Sequence, residues 1–298
     1  MKIKWFLLGL AVVMLIFIFF VASLYIATTI VGEKTDFVGK EGVGLVEVKG
    51  IILDSQETVK QLFDFKKNEN VKAVVLRIES PGGVVGPSQE IYDAVKKLAL
   101  KKKVVVSMGS VAASGGYYIA APATKIFANP GTITGSIGVL MKFSNIEGLM
   151  DKIGMKAFTI KTGKYKDVGS PVRTMSVEDK AMLQGVIDST HGQFVKAVAE
   201  GRKLPLEQVK TLADGRIYSG EQALALKLVD YLGTMQDAIE EAGKLAGIKG
   251  EPHVITPPKK KKVLLDILME ETADRIGGLV KQENGLSVNY EMSGKLGQ

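Results

Sequence analysis

Two glycine-rich turns and a group of lysines are the parts of this 298-residue sequence whose residue types and spacing could do chemistry. The first turn is Arg77-Ile78-Glu79-Ser80-Pro81-Gly82-Gly83, and the second is Ser110-Val111-Ala112-Ala113-Ser114-Gly115-Gly116-Tyr117-Tyr118. Glycines let a backbone come close to a ligand, and free N–H groups at a helix start favour developing negative charge, which is what an oxyanion hole requires. Ser114 is hemmed only by Ala112, Ala113, Gly115 and Gly116, so its hydroxyl is open to a carbonyl. A serine nucleophile needs a base. Cysteine is absent, which excludes disulfides, thiol nucleophiles, zinc-thiolate sites and a lipid-modified N-terminal cysteine. The two histidines, His191 and His253, are far apart and lack the spacing of a zinc-binding helix, so no metal site is expected. A lysine remains. Free lysine has a pKa of roughly 10.4, burial lowers it, and an uncharged amine can take a serine proton and hand it to a leaving amine. The turn-like stretch 161–171 supplies Lys161, Lys164 and Lys166.

The elements that must position these groups alternate in a βαβ rhythm. Apolar runs predict strands over 43–50, 71–79 and 104–108, and amphipathic spacing predicts helices over 55–67, with Val59, Leu62 and Phe63 on one face, and over 88–100. Parallel strands with helices packed on the sheet follow, and ligands gather at the carboxyl ends of such strands, where both turns lie. A small-residue loop then leads to a helix near Ser114, residues 124–160 read as shorter strands around another helix, and 176–247 read as mainly helical. The stretch 250–258 breaks the pattern.

The ends are of different character. From Trp5 to Gly32 no residue is charged, and about 20 apolar residues already cross a bilayer, so this segment reads as a membrane-spanning helix. Lys2 and Lys4 precede it and Glu33, Lys34 and Asp36 follow, which places the N-terminus in the cytoplasm and the domain outside. A cleaved signal peptide ending near Val21-Ala22-Ser23 is the rival, although secretory apolar regions are usually shorter, roughly 7 to 15 residues. The expected organisation is a cytoplasmic tip and anchor over 1–32, an α/β domain over 33–256, and a basic linker with tail over 257–298. The run 259–262 reads as a solvated linker, and the extended tail around Val288-Asn289-Tyr290 is expected to dock on a neighbouring subunit or to enter the chain's own cleft. The net charge of +7 is moderate and scattered, which argues against nucleic acid as a partner.

Ser-x-Ala-Ala-Ser-Gly-Gly-Tyr-Tyr at 110–118, with Ser-Pro-Gly-Gly at 80–83 and Gly-x-Tyr-Lys at 163–166, resembles the S49 family of serine proteases, the signal peptide peptidases, over roughly residues 42–247. The resemblance implies a crotonase/Clp-protease-like α/β fold of repeated β-β-α units behind the membrane anchor. It implies a Ser-Lys dyad of Ser114 as nucleophile and Lys166 as general base, with Lys164 the competing lysine. Gly83 and Gly115 would supply oxyanion N–H groups, and Ser136, in Thr132-Ile133-Thr134-Gly135-Ser136, would orient the lysine. No cofactor is implied. The implied setting is a single-pass bacterial or archaeal cell-membrane enzyme with its domain extracytoplasmic, assembled as a homo-oligomeric ring in which one subunit supplies both serine and lysine. Its implied substrates are apolar peptides, the signal peptides left in the bilayer after secretion. A crotonase-like acyl-CoA enzyme and a non-catalytic membrane scaffold are the alternatives. Arg77 and Glu79 are expected to brace their turn, Tyr117 and Tyr118 to make a core or subunit contact, and His191 to lie on the surface.

Overall fold

The computed structural model describes residues 40–258 and 289–291, with Trp5, Leu10, 13–21 and Ser23 near the N-terminus. Those N-terminal residues are helical, and among the described residues no helix is long and apolar enough to cross a membrane. The rest of the expected anchor and the basic run 259–262 lie outside the described residues.

From residue 41 the chain builds one α/β unit. Strand β1 (Gly42–Lys49), helix α1 (Gln56–Lys67), β2 (Val71–Ser80), the short β3 (Gly82–Val84), α2 (Val85–Ala99) and β4 (Lys103–Ala113) come first. Then follow α3 (Gly115–Ala120), β5 (Lys125–Ala128), β6 (Ile133–Gly135), α4 (Glu147–Lys152) and the long α5 (Val177–Arg202). The remainder is α6 (Leu206–Leu212), β7 (Ile217–Ser219), α7 (Gly220–Ala225), β8 (Tyr231–Leu232), α8 (Met235–Leu245), β9 (His253–Ile255) and β10 (Asn289–Glu291). The main sheet runs β7-β6-β4-β2-β1-β9, with β5 beside the first half of β4 and β8 beside β5. All its pairs are parallel except β6 with β7.

Strands covered on both faces read as continuous apolar runs, and Ala73 to Leu76 fits that: Ala73, Val74, Val75 and Leu76 are fully buried, as is Val71. Val43, Ala73, Val75 and Val105 face Ala238, Ile239 and Ala242 of α8. On the opposite face Gly44 lies under the Phe65 ring of α1, where an added Cβ would sit 2.6 Å from the ring edge. Phe63, expected on the buried face of α1, is instead half exposed, and Leu62 with Phe65 makes the contact, three residues apart on one helical side. Helix α2 begins at Val85, three residues before the sequence suggests, because Pro87 falls in its first turn, where a missing N–H costs nothing. The stretch after Met108, expected as a loop, continues β4 to Ala113. Residues 253–255, expected to be irregular, add β9 to the sheet beside β1.

Candidate active site

Both turns lie at the carboxyl ends of neighbouring strands β2 and β4, as a parallel sheet requires for a shared cleft. Ser114 stands between β4 and α3 with φ 54° and ψ −118°, a conformation that L side chains rarely adopt and that marks a sharp strand-to-helix elbow. The elbow is fixed on both sides: Ser114 N–H donates to Gly135 O at 2.8 Å, and Tyr118 N–H donates to Ser114 O at 2.8 Å. The hydroxyl itself is different. Ser114 is 1% exposed, and its Oγ has no hydrogen-bond partner. A buried hydroxyl left unpaired costs stability, so an orphan of this kind marks a group kept free for something else.

The first turn comes up against it. Ile52 N–H donates to Gly82 O at 2.9 Å and Val84 N–H to Ile52 O at 2.8 Å, which leaves Gly83 N–H and C=O pointing to the other edge of β3. Gly83 has no room for a side chain, since a Cβ would meet Ile52 O at 2.1 Å. A Cβ on Gly115 would lie 3.2 Å from Gly83 N, so the two glycine backbones adjoin with no side chain between them. Ser80 Oγ accepts from Gly82 N–H at 3.1 Å and holds the turn closed. Two N–H groups beside a nucleophile are the ingredients of an oxyanion hole.

On the free edge of β3 the chain's own residues 289–291 run antiparallel, with Tyr290 opposite Gly83. The expected entry of the tail into the cleft is thus met at the level of backbone pairing.

The lysine segment is arranged otherwise. Lys166 is exposed and is not hydrogen-bonded to Ser114 or to Ser136. Lys164 Nζ lies 5.5 Å from the Tyr165 ring centre. The neighbouring Asp167 binds Lys161 and Arg173, and Arg173 continues to Asp179 at 2.6 Å. Hydrogen bonds from Arg173, then from Lys161, hold the Asp167 carboxyl well below the usual range. This network, which the sequence reading missed, folds the segment on itself; the spacing of Asp167, Arg173 and Asp179, six residues apart in each step, is its only signal. Around it Leu149, Ile153, Met155, Phe158 and Ile160 are exposed, Phe158 to 89%.

Ser136 has φ 50° and is buried, and its N–H donates to Arg216 O at 2.8 Å. Tyr117 and Tyr118 are buried, as expected for core residues. Tyr117 OH donates to Leu228 O at 2.9 Å, Tyr118 packs on Tyr92 and Phe194, and burial pushes the Tyr118 phenol up to about 12. His191 is half-buried with Nε2 enclosed, not on the surface, because α5 turns that side toward the body.

The profile described as peptidase family S49 matches residues 96–249, and that of the Clp protease matches residues 51–133. A protein under a protease name in Synechocystis sp. is 44% identical over 245 residues, covering 80% of this chain and 88% of its own length. This chain belongs to peptidase family S49. Protease 4 of Salmonella typhi is 37% identical over 217 residues, 70% of this chain and 35% of that protein. A protein of Enterococcus faecium under the name signal peptide peptidase SppA is 38% identical over 213 residues, 67% of this chain and 62% of its own. The S49 chain is a protease on a Clp-protease-like α/β fold with a mixed sheet.

Proposed function

We propose that this S49 protease is a membrane-anchored serine endopeptidase that cuts signal peptides remaining in the bilayer, using Ser114 as nucleophile and Lys166 as general base. The observation that carries the reading is the orphaned Ser114 Oγ, buried on a strained elbow beside the Gly83 and Gly115 backbones. The hydroxyl attacks the scissile carbonyl while Gly83 and Gly115 N–H groups receive the charge that develops on its oxygen. The uncharged amine of Lys166, steadied by Ser136, removes the hydroxyl proton and returns it to the leaving amine.

Peptides bind as an added strand on β3. The pairing of 289–291 supports this mode, since its register puts the Tyr290 backbone against Gly83, whose N–H faces that edge. In that register a substrate carbonyl takes the same place. The tail is then a tethered competitor for the rail.

Lys166 and Ser114 come together in a homo-oligomeric ring above the membrane. The apolar side chains exposed over 146–160 support assembly, because a patch of that kind meets water in the isolated chain. Packing of that segment between copies brings the amine to the serine. A mixture of Ser114→Ala and Lys166→Ala chains decides its origin: regained activity places the amine on the neighbouring copy, and no recovery places it on the same one.

The test of the function is hydrolysis of a signal peptide embedded in lipid vesicles by the full chain, with Ser114→Ala and Lys166→Ala beside it. Both variants are expected to fold and to lose hydrolysis; activity in either overturns the dyad, and a fully active enzyme that ignores the embedded peptide overturns the substrate.

A further inference from the structure

We propose that Glu79 is a positioning residue for Ser114, acting through the backbone of a bulge in β4; the proposal rests on the reading of Ser114 as nucleophile. Strands β2 and β4 pair in register from Ala73 opposite Lys103 to Ile78 opposite Met108, and pairing resumes only at Ser80 opposite Ala112. Over that step β2 advances two residues while β4 advances four, so residues 109–111 bulge away from the ladder.

Side chains replace the missing ladder bonds. Ser110 N–H donates to Glu79 Oε2 at 2.9 Å and Val111 N–H to Glu79 Oε1 at 3.1 Å, so one carboxylate holds two successive N–H groups. Arg77 Nη1 donates to Met108 O at 3.2 Å, Thr132 Oγ1 to Gly109 O at 2.7 Å, and Thr134 Oγ1 to Ala112 O at 2.7 Å. Gly109 lies so near the carboxylate that a Cβ there would fall 1.7 Å from Glu79 Oε2. Beyond the bulge β4 joins β6, from Val111 opposite Ile133 to Ala113 opposite Gly135, and the next residue is Ser114. The carboxylate therefore grips the backbone three residues before the elbow, with no unpaired strand between.

Two features separate this from ordinary bracing of the fold. The Glu79 side chain is 33% exposed, with Arg77 Nη2 3.8 Å from its Oε2, so it is a partly solvated group and not part of the apolar core. The elbow it leads to has φ 54°, a conformation that persists only where the surroundings over-determine it. The chemistry is also particular to a carboxylate, which accepts on both oxygens; an amide of the same shape accepts on one and turns its NH2 against the other N–H.

The test compares wild type with Glu79→Gln and Glu79→Ala in the rate of Ser114 labelling by a fluorophosphonate, kcat and KM on a peptide, and thermal melting. A displacement of about 1 Å at a reacting group costs about 10²-fold. Both variants are expected to label Ser114 and turn over peptide about 10- to 100-fold more slowly per folded chain, with KM unchanged; melting falls modestly because Ser110 and Val111 N–H lose their acceptor. Thr132→Val loosens the same bulge from its carbonyl side and is expected to lower kcat with KM unchanged, which carries the test should Glu79→Ala fail to fold. Glu79→Gln with wild-type labelling and kcat overturns the proposal. A wild-type enzyme that cleaves peptide without label at Ser114 overturns the nucleophile assignment and this inference with it.

Discussion

Gly115→Ala tests the oxyanion cradle with a single methyl group. That carbon would lie 2.8 Å from Ser88 Oγ, 3.2 Å from Gly83 N and 3.3 Å from Gly82 Cα. Carbon contacts relax at roughly 3.5–4.0 Å, so the two turns must part by about half an ångström. The backbone at 115 itself is not in the left-handed region, so alanine there adds no φ strain and the cost to the fold is confined to the clash. What suffers is the aim of the paired N–H groups: disabling one oxyanion donor costs about 10²–10³ in kcat, about 2.7–4 kcal/mol. KM rises less than kcat falls, because the clash shifts Gly82 and Gly83 of β3 slightly but keeps the backbone pairing of that edge. Adding Ser88→Ala removes the nearest clash but not those with Gly82 and Gly83, so the double variant regains part of the rate only. Steady-state hydrolysis of a fluorogenic peptide, normalised to folded chain, reads the effect. Wild-type kcat in Gly115→Ala, or a loss confined to KM, would refute the cradle.

The other expectations follow from the same geometry. Lys166→Ala abolishes peptide hydrolysis and Lys164→Ala does not, measured on full-length chains; the reverse pattern moves the base to Lys164. Loss of hydrolysis in His191→Ala contradicts the dyad. Deleting 259–298 frees the edge of β3 from 289–291, so KM for peptide falls and kcat/KM rises; an unchanged rate and unchanged oligomeric state would remove the tail from the cleft. Hydrogen bonds from Arg173 hold the carboxyls of Asp167 and Asp179 below their usual range, so their contribution to order is present above the unfolded carboxylate value of about 3.9 and is lost as pH falls through the depressed folded values. Amide protection factors in 161–179, corrected for intrinsic exchange, are therefore expected to fall on acidification below about pH 4 in wild type, and to be low throughout in Arg173→Ala.

The strands β1 and β2 were legible in the sequence because a parallel strand covered on both faces centres on an apolar run, here residues 43–46 and 73–76. The far half of β4 was not: Gly109 and Ser110 interrupt the apolar pattern, and what keeps them in the strand is the carboxylate of Glu79, distant in sequence. Glu79 read as a brace for its own turn, and Arg77 Nη2 does lie 3.8 Å from its Oε2, but its two hydrogen-bond donors, Ser110 and Val111 N–H, lie in the next strand. The elbow was legible through its chemistry, since Ser114 between small residues and Ser-Pro-Gly-Gly upstream are needed for close backbone approach. Lys166 was legible as a residue type but not as a position, because in the single chain its neighbours Lys161, Asp167 and Arg173 bind one another and leave it exposed. The tail around Asn289 and Tyr290 was legible as an extended segment able to enter the cleft, but its pairing with β3 and its register were not, because the partner strand is far away in sequence.

The central claim is that Ser114 Oγ is the nucleophile, and covalent trapping tests it most directly. The full chain, treated with a serine-directed fluorophosphonate and digested, is expected to carry the adduct on Ser114 alone, with peptide hydrolysis lost in step with labelling. Label on another residue, or hydrolysis that continues in fully labelled enzyme, would contradict it.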